Sequence, residues 1–295
     1  MAIATVTKGG DQPTRARLNR VDLSGLQLPT KKSVPSTNLS DYIIFLYGQR
    51  KIGKTSLVSN FPNALHLFFE PGGKGLSTYP MELTYWEEFL HVVDNLLPSA
   101  DGDRYDNVVV DTVDLCYDMC VNWYCAKEYI SHPGDNNDYG KTWDLLKTEF
   151  TEAIHKLTHL GKGVIFVSHA KETEIKTRNQ GTWTKITPTL KDRAAGYIMG
   201  AADINAYYGY FGDERFLIMD GAEGVDCGTR LKHAFRTPDG DRIVAIPMGQ
   251  TDEEAYENFM TAFRNEQIDS FAEIHKATVS LTDHTAVLKA KQGRS

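Results

Sequence analysis

Gly48-Gln49-Arg50-Lys51-Ile52-Gly53-Lys54-Thr55 follows the apolar run Ile43-Ile44-Phe45-Leu46-Tyr47, and this stretch decides the fold of the 295-residue chain. The octapeptide fits G-x-x-x-x-G-K-[ST] at every specified position, the Walker A pattern of a phosphate-binding loop between a buried strand and a helix. Glycines let the backbone turn tightly and approach phosphate oxygens, while successive N–H groups and the start of the next helix supply positive dipole. Lys54 is placed to reach β- and γ-phosphates and Thr55 to hold Mg²⁺, with Gly48, Gln49, Arg50, Lys51, Ile52, Gly53 and Ser56 completing the cradle. ATP and Mg²⁺ are the expected ligands.

Outward from this loop, apolar strands alternate with helical spacing. A helix over about 54–60 leads to the strand Leu65–Phe69; apolar residues at helical intervals (Trp86, Phe89, Val92, Val93, Leu96) precede the strand Val108–Val110. Helices are expected over about 113–129 and 143–160, then a buried strand over 163–168. This alternation predicts an α/β fold: a mostly parallel central sheet with helices on both faces. Further strands near 204–210, 215–219 and 243–246 predict an antiparallel flank. Thr251-Asp252-Glu253-Glu254 has the form of a capping box and opens a last helix. The expected organisation is an N-terminal arm over 1–36, a core over 37–250, a C-terminal helical segment over 251–281 and a mobile tail over 282–295.

Tyr105 to Asp111 is an apolar strand ending in an acid, the Walker B form, so Asp111 is expected to support the metal opposite Thr55. Thr112 follows, so no adjacent Asp-Glu pair supplies a water-activating carboxylate. Glu70, after the strand that follows the loop helix, is the candidate for orienting water, with Asp114 a weaker substitute expected on the helix face. His169 ends the strand after Asp111 and is the candidate sensor of the γ-phosphate. Lys232 and Arg236, within Arg230–Arg236, are candidate cationic fingers for a neighbouring subunit's nucleotide. The segment Glu174–Ile186 reads as a β-hairpin around a glycine turn. Its Lys176, Arg178, Trp183 and Lys185 are candidate contacts to single-stranded nucleic acid, since cations track a phosphate backbone and an aromatic ring stacks on an unpaired base.

A formal charge of −7 excludes a generally adhesive polycation without deciding local patches. No apolar run reaches transmembrane length and no signal-peptide core precedes Pro29, so a cytoplasmic protein without membrane contact is expected. Cys116, Cys120 and Cys125 share one expected helix and Cys227 stands apart, a spacing that fits reduced thiols rather than a metal site. The absence of an Asn-Lys-x-Asp motif argues against a GTPase.

Together Gly48–Thr55, Glu70, Asp111, His169 and the basic hairpin resemble a RecA-like P-loop ATPase core. More closely, Val110-Asp111-Thr112, Asp138–Trp143, Val167–Lys171 and Ala202-Asp203-Ile204 make the chain similar to phage-encoded ATP-binding proteins related to single-strand-annealing recombinases. The resemblance covers about residues 40–250. It implies a DNA-stimulated ATPase acting as a homo-oligomeric ring or filament on single-stranded DNA, in recombination or replication in a host cytoplasm. A single-strand-binding or replication protein is a further partner class. A small-molecule kinase with the hairpin as lid, and a nucleotide-switched scaffold, are the alternatives.

Overall fold

A computed structural model of the protein describes residues 27–135, 138–177, 181–220 and 224–266. The expected arm up to residue 26, Arg178, residues 267–281 of the helical segment and the expected tail over 282–295 lie outside the described residues. The chain divides into two compact units, Met1–Pro35 and Ser36–Ser295. In the first, residues 27–35 form no helix or strand and are exposed. The second unit carries the helices and strands that follow.

β1 (Ile43–Gly48) sends Phe45 and Tyr47 into one core and Ile44 and Leu46 into the other. Successive strand side chains point to opposite faces, so an unbroken apolar run is stable only where both faces are covered. β4 (Asn107–Asp111) and the inner half of β5 (Gly163–Thr177) follow the same rule: Val108, Val110, Val164 and Phe166 face one core, Val109, Ile165 and Val167 the other. With β2 (Ala64–Phe68), β3 (Tyr79–Glu82) and β7 (Ile204–Phe211), they form a parallel set in the order β3-β2-β4-β5-β1-β7. β8 (Glu214–Ile218) and β10 (Ala245–Pro247) continue from β7, the first pairing antiparallel to β7 and the second antiparallel to β8, as the expected flank. β9 (Gly228–Thr229) adds a short pairing to β7. The outer half of β5 leaves the sheet and pairs antiparallel with β6 (Gly181–Pro188), forming the expected hairpin.

α1 (Lys54–Ser59) and α6 (Asp252–Phe263) cover one face. The other is covered by α2 (Trp86–His91), which continues as a π-helical turn over Val92–Leu96, with α3 (Val113–Lys127), α4 (Lys141–Thr158) and α5 (Asp192–Ala201). α6 starts where its capping box predicts. Thr251 Oγ1 accepts from the Glu254 amide at 3.1 Å and Glu254 Oε2 accepts from the Thr251 amide at 3.1 Å, so two otherwise unpaired donors of the first turn are satisfied. Phe259 packs on Phe61 and Phe235, so this helix shares the core that covers one face of the sheet.

β3 and α5 lie beyond the sequence expectation. β3 is an edge strand with a proline at position 80 and mostly exposed side chains, so it carries no apolar alternation. α5 contains Gly196 and Gly200, weak helix formers that tertiary packing of Ala194, Ala195 and Ile198 overrides. Among the described residues no helix is long and apolar enough to cross a membrane.

Candidate nucleotide-binding site

Insertion of β5 between β1 and β4 brings the ends of those two strands beside the point where β5 leaves the sheet: Gly48 pairs in register with His169, and Asp111 with Val167. In open parallel sheets the crevice beyond the carboxyl ends of strands is where ligands bind. The glycines of the loop have local reasons. A Cβ on Gly48 would collide with the Tyr208 carbonyl of the neighbouring strand, and Gly53 sits at φ +105°, a left-handed conformation that side chains disfavour. Gln49, Arg50 and Lys51 form an exposed tip, whereas Ile52 is buried in the core with Leu57 and Val58. The bulky central residues therefore divide between a cationic rim and an apolar anchor.

Lys54 is buried, and its Nζ donates to the carbonyls of Gly48 at 3.0 Å and Gln49 at 2.7 Å. Burial lowers its ammonium to about 8, against the opposing pull of Asp111, Asp114 and Glu70. Thr55 Oγ1 donates to Asp111 Oδ2 at 2.7 Å, joining the two halves of the expected metal site. Burial raises the Asp111 carboxyl, and the Thr55 hydrogen bond works against that rise. Ser56, the last residue of the expected cradle, uses its backbone carbonyl to accept from Ser59 Oγ and Asn60 Nδ2.

His169 stands between Lys54 and Glu70. Its Nδ1 is 3.5 Å from Lys54 Nζ and its Nε2 is 3.8 Å from Glu70 Oε1. Burial and then the Lys54 charge lower its pKa, so the ring is neutral at pH 7. A neutral ring facing an ammonium at Nδ1 accepts there, which assigns the proton to Nε2, on the Glu70 side. Glu70 lies two residues beyond the end of β2 and is exposed. Lys54, Thr55, Glu70, Asp111 and His169 thus lie close together.

A family profile described as "AAA domain" matches residues 40–231, more than half of the chain. The chain belongs to the AAA domain family. It is also 30% identical over 143 residues to the SPbeta prophage-derived uncharacterized protein YorG of Bacillus subtilis (strain 168), an alignment covering 48% of this chain and 44% of that relative. The chain therefore spans less than half the length of the curated relative it matches. The match contains the P-loop, Asp111 and His169, so this AAA domain is a nucleotide-binding P-loop NTPase unit with a mostly parallel sheet.

Just beyond the residues matched to the AAA domain, Lys232 and Arg236 are not brought to the P-loop of their own chain. The Arg230 amide donates to the Asp203 carbonyl, and Asp203 in turn bonds Ile43, at the amino end of β1. The P-loop leaves the carboxyl end. Lys232 is exposed, and the Arg236 guanidinium donates to the carbonyls of Lys232 at 3.1 Å and Gly240 at 3.2 Å.

The backbone of Lys176 pairs with Thr182, and that of Trp183 with Ile175, in the hairpin. Lys185 is engaged: its Nζ is 3.3 Å from Asp226 Oδ1. Lys191 and Arg193, just beyond the hairpin, likewise pair with Asp118 at 2.8 Å and Asp144 at 3.2 Å at the start of α5. Acids distant in sequence therefore offset part of the hairpin region's positive charge.

Sequence reasoning missed two features. Asp114, expected on the helix face as a weaker substitute for Glu70, bonds Ser168 and Thr189. Arg215 lies beside Gly53 and donates to the carbonyls of Gly249 and Thr251, fastening the start of α6 next to the P-loop. Neither has a local signature, because each depends on strand pairing.

Proposed function

We propose that the chain is a Mg²⁺-dependent ATPase, stimulated by single-stranded DNA, that works as an oligomer in DNA recombination or replication. The observation that carries the ATPase part is the convergence of Lys54, Thr55, Glu70, Asp111 and His169 at adjoining strand ends. Thr55 Oγ1 and Asp111 Oδ2, 2.7 Å apart, are hard oxygen donors suited to a Mg²⁺ ion that keeps most of its waters. When bound, the metal screens the charge of the β- and γ-phosphate oxygens. Lys54 supplies fixed positive charge from a buried position. Glu70 orients and deprotonates the attacking water, and the neutral His169 holds the space between that carboxylate and Lys54.

The DNA part is supported by the basic composition of the β5–β6 hairpin and by the resemblance to RecA-like recombinases. Lys176, Arg178 and Lys185 contact phosphates in this reading, and Trp183 stacks on a base. Lys232 or Arg236 serves a neighbouring copy's nucleotide.

The test is steady-state ATP hydrolysis with and without single-stranded DNA at low salt, beside Lys54→Ala and a Lys176/Arg178/Lys185 charge-neutralised variant. DNA stimulation lost in both variants supports the reading. Turnover indifferent to DNA, with no DNA retained, removes the DNA part; acceptor-dependent phosphate transfer then identifies a small-molecule kinase, and nucleotide binding with negligible turnover a switched scaffold. The Lys185–Asp226 pair is the observation that favours a DNA-free reading, because it occupies one of the hairpin's cations.

A further inference from the structure

Asp114 lies in the first turn of α3, three residues after Asp111, and its carboxylate sits where the hairpin leaves the sheet. Oδ1 accepts from Thr189 Oγ1 at 2.6 Å and from Ser168 Oγ at 3.1 Å. Ser168 is fully buried and immediately precedes His169, at the departure of the hairpin; Thr189 immediately follows β6, at its return. The two ends are also joined directly, since the Thr189 amide donates to the His169 carbonyl at 2.8 Å and its hydroxyl lies 3.2 Å from the same oxygen. One carboxylate oxygen thus fastens both rails of the hairpin at the residue that faces Lys54.

The second oxygen, Oδ2, is buried and has no hydrogen-bond partner among the described residues. Leaving a buried acceptor unsatisfied is costly, so the carboxylate is held against a standing desolvation penalty. A second tie runs from the other side of the site. The hydroxyl of Tyr47, the residue before Gly48, donates to the Asp226 carbonyl at 2.9 Å, accepts from the Asp226 amide at 3.0 Å and lies 3.4 Å from the Ile186 carbonyl in β6. Both nucleotide-binding strands are therefore connected to the base of one hairpin.

We infer that Asp114 is a positioning residue that makes His169 and the β5–β6 hairpin respond as one body to occupancy of the phosphate site. The inference rests on the nucleotide-binding part of the proposed function and not on its DNA part. Displacement of His169 by phosphate reaches the hairpin through Ser168 and Thr189 because Asp114 prevents the two rails from separating. Thr189→Val removes the hydroxyl at nearly constant volume and leaves the Thr189 backbone bond in place, while Thr189→Ser restores the donor.

The experiment measures amide hydrogen exchange over residues 171–177 and 182–188 with and without a non-hydrolysable ATP analogue and Mg²⁺, and nucleotide affinity in the same samples. Wild type and Thr189→Ser are expected to show a nucleotide-dependent change of about tenfold or more. In Thr189→Val that change falls below about twofold while affinity stays within about threefold of wild type. A purely structural role would raise exchange equally with and without nucleotide and preserve the difference. Retention of the wild-type difference in Thr189→Val overturns the inference, as does a wild-type hairpin that ignores bound nucleotide. Failure of wild type to bind nucleotide overturns both this inference and the proposed ATPase. A hairpin that answers to nucleotide in a protein whose turnover ignores DNA sustains the inference and removes only the DNA reading.

Discussion

Thr55 and Asp111 meet across 2.7 Å although 56 residues separate them in sequence. Their bond holds a hydroxyl and a carboxylate oxygen together at the mouth of the crevice, and it opposes the rise in pKa that burial imposes on Asp111. Thr55→Val keeps the shape and removes the donor. The half-saturating Mg²⁺ concentration for nucleotide binding is expected to rise about 10- to 100-fold, with binding in EDTA little changed and Thr55→Ser close to wild type. Fluorescent-nucleotide titrations over a range of Mg²⁺ concentrations read this directly.

The Lys54 ammonium, lowered to about 8, gives nucleotide affinity a pH dependence. As pH rises through 8, the unliganded protein increasingly presents a neutral amine, so affinity falls by up to about tenfold per pH unit above that point. Binding then draws a proton from buffer, measurable by calorimetry in buffers of different ionisation enthalpy. The stability effect has the opposite sense: between about 8 and the ordinary value of 10.5 the unfolded chain binds the extra proton, so the free fold gains stability as pH rises. Lys54→Met abolishes that gain, and urea unfolding at pH 7 and pH 10 tests it.

His66 predicts an acid limit unrelated to nucleotide. It is buried in β2, stacks on Phe68, has no hydrogen-bond partner at either ring nitrogen among the described residues, and burial lowers its pKa to about 4. Between about 6.5 and about 4 the unfolded ring takes a proton that the folded ring refuses, so stability is lost as pH falls through that window. The full loss is about 3 kcal/mol. His66→Leu is expected to flatten the acid side of a plot of unfolding midpoint against pH, and an unchanged profile would assign the acid limit elsewhere.

Gly48→Ala places a methyl group against the Tyr208 carbonyl, backbone that cannot swing aside, so β1 and β7 must separate locally. A destabilisation of about 2 kcal/mol or more follows. Gly75→Ala, where an added Cβ meets nothing within 4 Å, is the matched control and is expected to change stability by less than about 0.5 kcal/mol. Thermal unfolding of the two variants separates close approach at the P-loop from the general effect of replacing glycine.

The strands that lead to the P-loop, Asp111 and His169 were legible in sequence because their apolar runs are continuous along the chain. The capping box before α6 was legible for the same local reason. Strand order was not, because insertion of β5 between β1 and β4 is a matter of pairing among distant segments. From that insertion follow the His169 register with Gly48 and the bond of Asp114 to Thr189. Lys185, Lys191 and Arg193 each meet an acid supplied by another part of the fold, a pairing that the charge of a segment does not display. β3 stayed hidden because a half-exposed edge needs no apolar pattern.

The separation of Arg230–Arg236 from the P-loop, at the amino and carboxyl ends of the same parallel strands, gives each copy of the chain a direction. In the proposed oligomer, a copy that lends Lys232 or Arg236 to another's phosphates brings its amino end against that copy's carboxyl end. An assembly in which each copy lends its cation to the next in one sense is heterologous, and the rotation per step decides whether it closes on itself or grows without end.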